Sequence, residues 1–307
     1  WFKEACESRT SSKRDWFIWH DGKKNWWGKP KPPNNWGGAF GGSAWTWHEP
    51  TGQFYCHGFL AEQPDLNWRN PQVREALYDV IRFWLDRGVD GFRLDVVNWF
   101  IKDDQFRSNP IKTLLGRPYD RQDHIYDRNR PETIGYMKGI RAVVDEYASR
   151  MTVGEVFVPP PGDPELPARY YGEGDGLHMA FNFAFLYRKW KASAFRDAVA
   201  RWESLLGQRG WPNYTLSNHD QPRHISRFGK GGDQVRRARL AALMLLTLRG
   251  TPFLYYGEEI GMGNGKIPKA KLQDPVGIRY WPFHPGRDPA RTPMCWDGSK
   301  GAGFTSG

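Results

Sequence analysis

From Asn70 onwards, short apolar runs alternate with longer amphipathic segments, and this alternation limits the fold more than any other feature of the sequence. Strands separated by helices favour parallel pairing, because each helix carries the chain back across the sheet. The sequence therefore predicts an α/β fold built on a parallel sheet. Five strands are predicted, at residues 89–95, 151–155, 179–185, 214–217 and 251–256.

Four helices are predicted around these strands. Asn70 followed by Pro71 is typical of a helix start, with Asn as the cap and Pro in the first turn. This helix ends near Gly88, and its apolar face at helical spacing is formed by Val73, Leu77, Val80, Ile81 and Trp84. The other helices are predicted at residues 132–150, 190–206 and 233–248, the last of them capped by Asp233.

Residues 1–68 have a different character. They are rich in Trp, Gly, Pro, Asn and Lys and show little periodicity. Turn-forming runs, such as residues 32–38 and 41–43, predict an irregular region of loops and short strands.

Three carboxylates lie at the ends of predicted strands. Asp95 and Glu155 end two of them, and Asp220 follows a third after Asn218 and His219. Arg93 lies two residues before Asp95, so on a strand both side chains point to one face, and the arginine favours the ionised carboxylate. Cleavage of a glycosidic bond requires such a set, because one carboxylate attacks, one donates a proton and one holds the sugar as its ring flattens.

The segments around these carboxylates resemble, in order, the motifs of the α-amylase family of glycoside hydrolases, and more narrowly its α-glucosidase and oligo-1,6-glucosidase branch. The resemblance implies a (β/α)8 barrel of the TIM type and a retaining α-glucosidase. It assigns Asp95 as the nucleophile, Glu155 as the general acid/base and Asp220 as the carboxylate that stabilises the transition state. The matching segments cover residues 63–67, 91–95, 154–155, 217–220 and 250–259.

The resemblance also implies a domain organisation. Residues 1–68 match a small lid subdomain that is inserted after the third barrel strand and forms one wall of the active-site pocket. Residues 69–307 match the carboxyl-terminal part of the catalytic barrel, with roughly strands four to eight. The first three barrel strands and the carboxyl-terminal β-domain of the family are expected to lie outside this sequence.

Four further residues are predicted to bind the sugar. Arg93 accompanies the nucleophile, and His219 beside Asp220 can hold a neighbouring hydroxyl. By resemblance, Arg291 contacts the outer edge of the bound glucose, although Cys295 stands where the family often has Gln. Val96 resembles the branched apolar residue of α-1,6-acting members, whereas α-1,4-acting members tend to carry Thr or Ala. Arg223 and Arg227 are interpreted as surface or salt-bridge residues.

The net charge of +10 raises the question of a polyanionic partner. Basic and acidic residues are interspersed, and the densest basic stretch is Lys23-Lys24 with Lys29-Pro30-Lys31. This pattern predicts a solvated basic surface and neither a nucleic-acid nor a membrane partner. No window approaches 18 consecutive apolar residues. The expected partner is a small oligosaccharide substrate, and the sequence does not indicate the oligomeric state.

Cysteine and histidine usage predicts no cofactor in this chain. Cys6, Cys56 and Cys295 are far apart and form no CxxC pair, and the eight His show no metal-ligand spacing. The resemblance leaves room for a calcium site in an amino-terminal part of the enzyme. A small, odd number of cysteines fits a reducing cytoplasm.

These observations together predict an exo-acting retaining α-glucosidase that removes terminal glucose from short α-glucosides, with a preference for α-1,6 linkages. An α-1,4-glucosidase or maltase, and a transglucosylase or sucrose isomerase, would use the same machinery. A non-catalytic, barrel-like binding protein is the alternative from another class. The presence of Asp95, Glu155 and Asp220 argues against it, because a binding protein has no need of all three.

Overall fold

The computed structural model describes residues 1–160, 162–229 and 233–305. The chain divides into two compact units, Trp1–Glu155 and Val156–Gly307. The division of the chain at residue 68 stays a prediction.

The amino-terminal part of the first unit consists of short elements joined by turns, as its composition predicts. Its strands form a three-stranded antiparallel sheet in the order β1 (Trp19–His20), β5 (Gln53–Cys56) and β4 (Trp45–His48), and a separate hairpin of β2 (Lys23–Lys24) and β3 (Pro30–Lys31). The lysines of the hairpin are exposed, in agreement with a solvated basic surface. The elements are α1 (Phe2–Glu7), β1 (Trp19–His20), β2 (Lys23–Lys24), β3 (Pro30–Lys31), β4 (Trp45–His48) and β5 (Gln53–Cys56).

Tryptophan supplies much of the core in this region. Trp36 and Trp45 stack with ring centroids 5.7 Å apart and pack with Phe54 and Cys56. Nearby, the carboxylate of Asp65 accepts a hydrogen bond from the Gly58 amide at 3.1 Å. It also forms an ion pair with the buried ammonium group of Lys102 at 3.0 Å. Asp65 thus connects the amino-terminal region to Lys102, which follows the strand Gly91–Leu94 in the chain.

Helix α2 (Pro71–Leu85) begins where the sequence predicts, because the Asn70 side chain accepts a hydrogen bond from the Gln72 amide. Its predicted apolar face is only partly right. Val73, Ile81 and Leu85 are buried, whereas Val80 is 43% and Trp84 47% exposed. Val80 and Trp84 each lie about 100° around the helix from the buried residue that follows them, Ile81 or Leu85, so the face that is buried near the end of α2 excludes them.

Strand β6 (Gly91–Leu94) pairs in parallel with β7 (Met151–Gly154), and helix α3 (Thr133–Val144) lies between them in the chain. The prediction of a helix to residue 150 was too long. The helix ends at Val144, and Ser149 has a left-handed φ of 59° that interrupts helical geometry before β7.

The second unit contains another parallel pair, formed by β9 (Asn213–Thr215) and β10 (Thr251–Phe253), with Asn213 opposite Thr251 and Thr215 opposite Phe253. The predicted strand 179–185 was too long, because residues Ala184–Tyr187 form a 3-10 helix. The elements are α4 (Glu165–Arg169), β8 (Met179–Ala180), α5 (Ala192–Leu206), β9 (Asn213–Thr215), α6 (His224–Phe228), α7 (Gln234–Thr247), β10 (Thr251–Phe253) and α8 (Pro275–Tyr280).

Candidate active site

The parallel register of β6 and β7 brings two of the predicted carboxylates together. Leu94 is opposite Gly154, so Asp95 and Glu155 leave adjacent strands at the same end. The backbone continues this pairing, since the Glu155 amide donates to the Leu94 carbonyl at 2.8 Å and the Val97 amide donates to the Glu155 carbonyl at 2.9 Å. The carboxyl ends of parallel strands are where barrel enzymes carry their catalytic groups.

Arg93 joins these two carboxylates. Its Nη1 donates to Oδ1 of Asp95, and its Nη2 donates to Oε2 of Glu155. The sequence predicts the first of these contacts from the spacing of two residues, but not the second. The two acids differ in solvent access, because the side chain of Asp95 is 69% exposed and that of Glu155 only 5%.

The surroundings of Glu155 act on its proton in opposite directions. Its burial and the negative charge of Asp95 favour the protonated acid, whereas the hydrogen bond from Arg93 favours the carboxylate. Asp95 is also bound to Arg93 but is open to solvent, so the two carboxylates have different surroundings.

Val96 turns the chain sharply after Asp95. Its φ of 35° and ψ of 49° lie in the left-handed region, which is a strained conformation for a β-branched residue. Its carbonyl accepts a hydrogen bond from the Trp99 amide at 2.9 Å and opens the 3-10 helix Val97–Trp99. The residue predicted to influence linkage preference is thus also a constrained backbone position.

In the second unit, the loop after β9 carries His219 and Asp220. Asp220 Oδ1 accepts hydrogen bonds from Arg291 Nη2 at 2.9 Å and from Arg287 Nη1 at 3.1 Å. Arg291 Nε also donates to the His219 carbonyl at 2.8 Å, and His219 Nε2 lies 3.4 Å from Asp220 Oδ2. Two guanidinium groups and an imidazole therefore surround one carboxylate.

Arg287 is a member of this cluster that the sequence analysis missed. Besides Asp220, it binds the buried Asp274, with Nε 3.0 Å and Nη2 2.7 Å from Oδ1 and its amide 2.8 Å from Oδ2. Burial alone would raise the pKa of Asp274, but the hydrogen bonds and charge of Arg287 lower it overall. The sequence feature that could have indicated this contact is the position of Arg287 four residues before Arg291, which was predicted to bind the sugar.

The interpretation of Arg223 and Arg227 as surface or salt-bridge residues was wrong. Arg223 is fully buried, and its guanidinium lies over the rings of Tyr255 and Tyr256, 4.6 and 4.5 Å from their centroids. Arg227 is half-buried and donates its hydrogen bonds to main-chain carbonyl groups. The sequence suggested that water or carboxylates would surround these two cations. In the structure, aromatic rings stabilise Arg223 and carbonyl groups stabilise Arg227.

The predicted site residues thus form two groups. Arg93, Asp95, Val96 and Glu155 lie together in Trp1–Glu155. His219, Asp220 and Arg291 lie together in Val156–Gly307. Their catalytic and substrate-binding roles stay predictions.

In residues 1–160, 162–229 and 233–305, no group of three or more His, Cys, Asp and Glu could hold a metal ion. No helix in the same ranges is long and apolar enough to span a bilayer.

Comparison with known proteins places the chain in a family. The model of the alpha-amylase catalytic domain matches residues 1–307. A probable alpha-glucosidase of Rhizobium meliloti (strain 1021) is 43% identical over 100% of this chain and 56% of its own length. An oligo-1,6-glucosidase of Parageobacillus thermoglucosidasius is 36% identical over 100% of this chain and 58% of its own length.

Among solved structures, that of an alpha-glucosyl transfer enzyme, XgtA, has a TM-score of 0.90 and 39% identity, covering 100% of this chain and 57% of the other. The chain spans a little over half the length of the curated relatives it matches. The predicted family and fold class are confirmed by the full-length match. The chain belongs to the alpha-amylase catalytic-domain family, whose fold is a (β/α)8 barrel.

Proposed function

We propose that this chain carries the catalytic residues of a glycoside hydrolase, an exo-acting retaining α-glucosidase that releases terminal glucose from short α-glucosides, with α-1,6 linkages preferred. The observation that carries the proposal is the pair of carboxylates at the ends of adjacent parallel strands, joined by Arg93. One guanidinium that binds an oxygen of each keeps the two carboxylates close, which supports a retaining mechanism, since retention requires a separation of about 5–5.5 Å.

In the first step of the proposed reaction, Asp95 attacks C1 of the terminal glucose while Glu155 gives its proton to the leaving glycosidic oxygen. The C1–oxygen bond breaks, and a glucosyl ester of Asp95 forms. In the second step Glu155 takes a proton from water, whose oxygen attacks C1 and releases Asp95 as a carboxylate. Glucose leaves with its original anomeric configuration.

Asp220 and His219 would hold sugar hydroxyls, and these hydrogen bonds strengthen as the ring distorts. Arg287 and Arg291 fix the carboxylate of Asp220 from one side through Oδ1. This leaves Oδ2, beside the His219 ring, as the oxygen to receive a hydroxyl. Arg93 would play the equivalent orienting role for Asp95 and Glu155.

The linkage preference is proposed from Val96. An apolar β-branched side chain shapes the neighbouring subsite by packing, without a hydroxyl that could bind the aglycone sugar. The similarity to an oligo-1,6-glucosidase supports this part of the proposal, and the similarity to a probable alpha-glucosidase supports the broader class.

Glucosyl transfer is the second candidate function, and the TM-score of 0.90 to an alpha-glucosyl transfer enzyme favours it. Transfer uses the same glucosyl–Asp95 ester and differs only in whether water or a sugar hydroxyl attacks C1. Product analysis at high substrate concentration separates the two, because in a transferase the share of transfer products rises with sugar concentration, whereas a hydrolase continues to release mainly glucose.

Several further parts of the proposal rest on the sequence alone. Residues 1–68 would form the lid of the pocket, the chain would need no cofactor, and the enzyme would act in the cytoplasm on small oligosaccharides, without a nucleic-acid or membrane partner. Relatives in the family act on sugars, which supports the substrate class.

The test is glucose release from isomaltose and maltose by the longest natural form of the chain, with Asp95→Asn as control. Faster release from isomaltose, abolished in the variant, is the expected result. Faster release from maltose would remove the linkage proposal and leave the mechanism. A folded protein that binds either sugar but cleaves neither would support the binding-protein alternative.

A further inference from the structure

The guanidinium of Arg227 holds both ends of the loop that carries Asp220. Nη2 donates to the carbonyl of Leu216, directly before the loop, and Nε donates to the carbonyl of Pro222, directly after it, at 3.0 Å. Nη1 donates to the carbonyl of Leu186, in a neighbouring segment. One planar group therefore connects three points of the main chain.

Arg227 reaches the loop because the chain turns back immediately after it. The loop, residues 217–221, leads through Pro222 into α6, and Arg227 lies in that short helix. Burial lowers the pKa of Arg227 to about 10, although the charge of Glu258 opposes this shift. The group thus remains a cation at neutral pH, and charge strengthens its bonds to carbonyl oxygens.

A second contact at the base of the loop is independent of Arg227. The His224 amide donates to Ser217 Oγ at 2.8 Å, and the His224 ring lies 3.1 Å from the same oxygen and 3.2 Å from Glu258 Oε1. This network fixes Ser217 but makes no contact with the far end at Pro222. The carbonyl of Pro222 is held by Arg227, and the next amide, that of Arg223, donates to Asn264 Oδ1 at 2.8 Å, so the particular effect of the guanidinium is to join the Pro222 end of the loop to Leu216.

We infer that Arg227 is a positioning residue for Asp220, which acts by clamping the carbonyls of Leu216 and Pro222 on either side of the loop. The functional consequence rests on the role proposed for Asp220 in catalysis. Lysine cannot replace arginine here, because a single ammonium lacks the rigid fork that reaches acceptors on two sides. The loop also carries His219, and the clamp predicts a loss that acts chiefly through Asp220, the loop residue with the proposed catalytic role.

The experiment compares Arg227→Lys with Arg236→Lys, a substitution of an arginine whose side chain is 88% exposed. Both are made in the longest natural form of the chain, alone and combined with Asp220→Asn. We expect Arg227→Lys to lower kcat at least tenfold with KM changed less than threefold, and Arg236→Lys to change neither. In the Asp220→Asn background, Arg227→Lys is expected to lower kcat by less than threefold.

Amide hydrogen exchange tests the clamp without any activity. In Arg227→Lys, amides 217–221 are expected to exchange at least tenfold faster, while the core strands β9 and β10 keep their rates. A tenfold loss of kcat that persists undiminished in the Asp220→Asn background would overturn the positioning role. Unchanged exchange in the loop would overturn the clamp itself. If the wild-type chain cleaves no α-glucoside, the proposed function fails, and exchange alone decides on the clamp.

Discussion

Substitution of Arg287 by methionine is expected to destabilise the second unit, because Asp274 would remain buried without its cation. The side chain of Asp274 is only 1% exposed and accepts three hydrogen bonds from Arg287, two from the guanidinium and one from the amide. Methionine keeps the amide, so two bonds to a charged acceptor are lost. At about 1.5–3 kcal/mol each, the loss is about 3–6 kcal/mol, and breaking a buried ion pair costs about 3–5 kcal/mol.

The lower end of these ranges is the better estimate, because Arg287 itself is 22% exposed and solvent screens part of its charge. We therefore predict a loss of about 3 kcal/mol at pH 7 in the free energy of unfolding, measured by urea titration. The matched control is Arg196→Met, whose exposed pair with Asp197 is expected to contribute less than about 1 kcal/mol.

The effect of pH on this variant follows from the pKa of Asp274. In the wild type, Arg287 holds that pKa below its unfolded value, so the pair stabilises above about pH 4 and its contribution is lost as pH falls through the folded value. In the variant, burial favours the neutral acid, and protonation removes the cost of the unpaired charge. The difference in the free energy of unfolding between the wild type and the variant should therefore decrease from pH 7 to pH 4. A difference in the free energy of unfolding below about 1 kcal/mol at pH 7, or a difference that increases on acidification, would refute this reasoning.

Two further predictions concern the first unit. A Cβ at Gly91 would lie 2.2 Å from the carbonyl oxygen of Met151, so Gly91→Ala should force β6 away from β7, destabilise by about 1–3 kcal/mol and lower activity. Gly135→Ala, in α3 with open space around it, should stabilise by about 0.5–1 kcal/mol, and equal effects on urea unfolding would contradict the steric argument. Val96→Thr should lower the ratio of isomaltose to maltose hydrolysis at unchanged stability, and an unchanged ratio would remove Val96 as a determinant.

The sequence predicts those parts of the fold that depend on contacts between residues close together in the chain. Asn70 caps α2 through a bond to an amide two residues away, and the strands before Asp95 and Glu155 are short apolar runs after a turn. Element ends were less accurate. Residues 145–150 and 181–185 were predicted to continue a helix and a strand, but a left-handed residue and a 3-10 turn intervene.

The site shows the same limit in its side chains. Arg93 and Asp95 are two residues apart, so strand alternation is enough to pair them. Arg93 and Glu155 are 62 residues apart, and Arg287 and Asp220 are 67 apart, so their contacts depend on strand register and loop path. Such contacts are set by tertiary structure, and neither composition nor periodicity encodes them.

The configuration of the released glucose tests the central claim, a double displacement at Asp95, most directly. Proton NMR during the first minutes of hydrolysis of an α-glucoside with a non-sugar leaving group, before mutarotation, distinguishes the two anomers. The account predicts α-glucose as the first product, because two inversions at C1 restore the starting configuration. Initial release of β-glucose would mean a single displacement by water and would contradict the assignment of Asp95 as nucleophile.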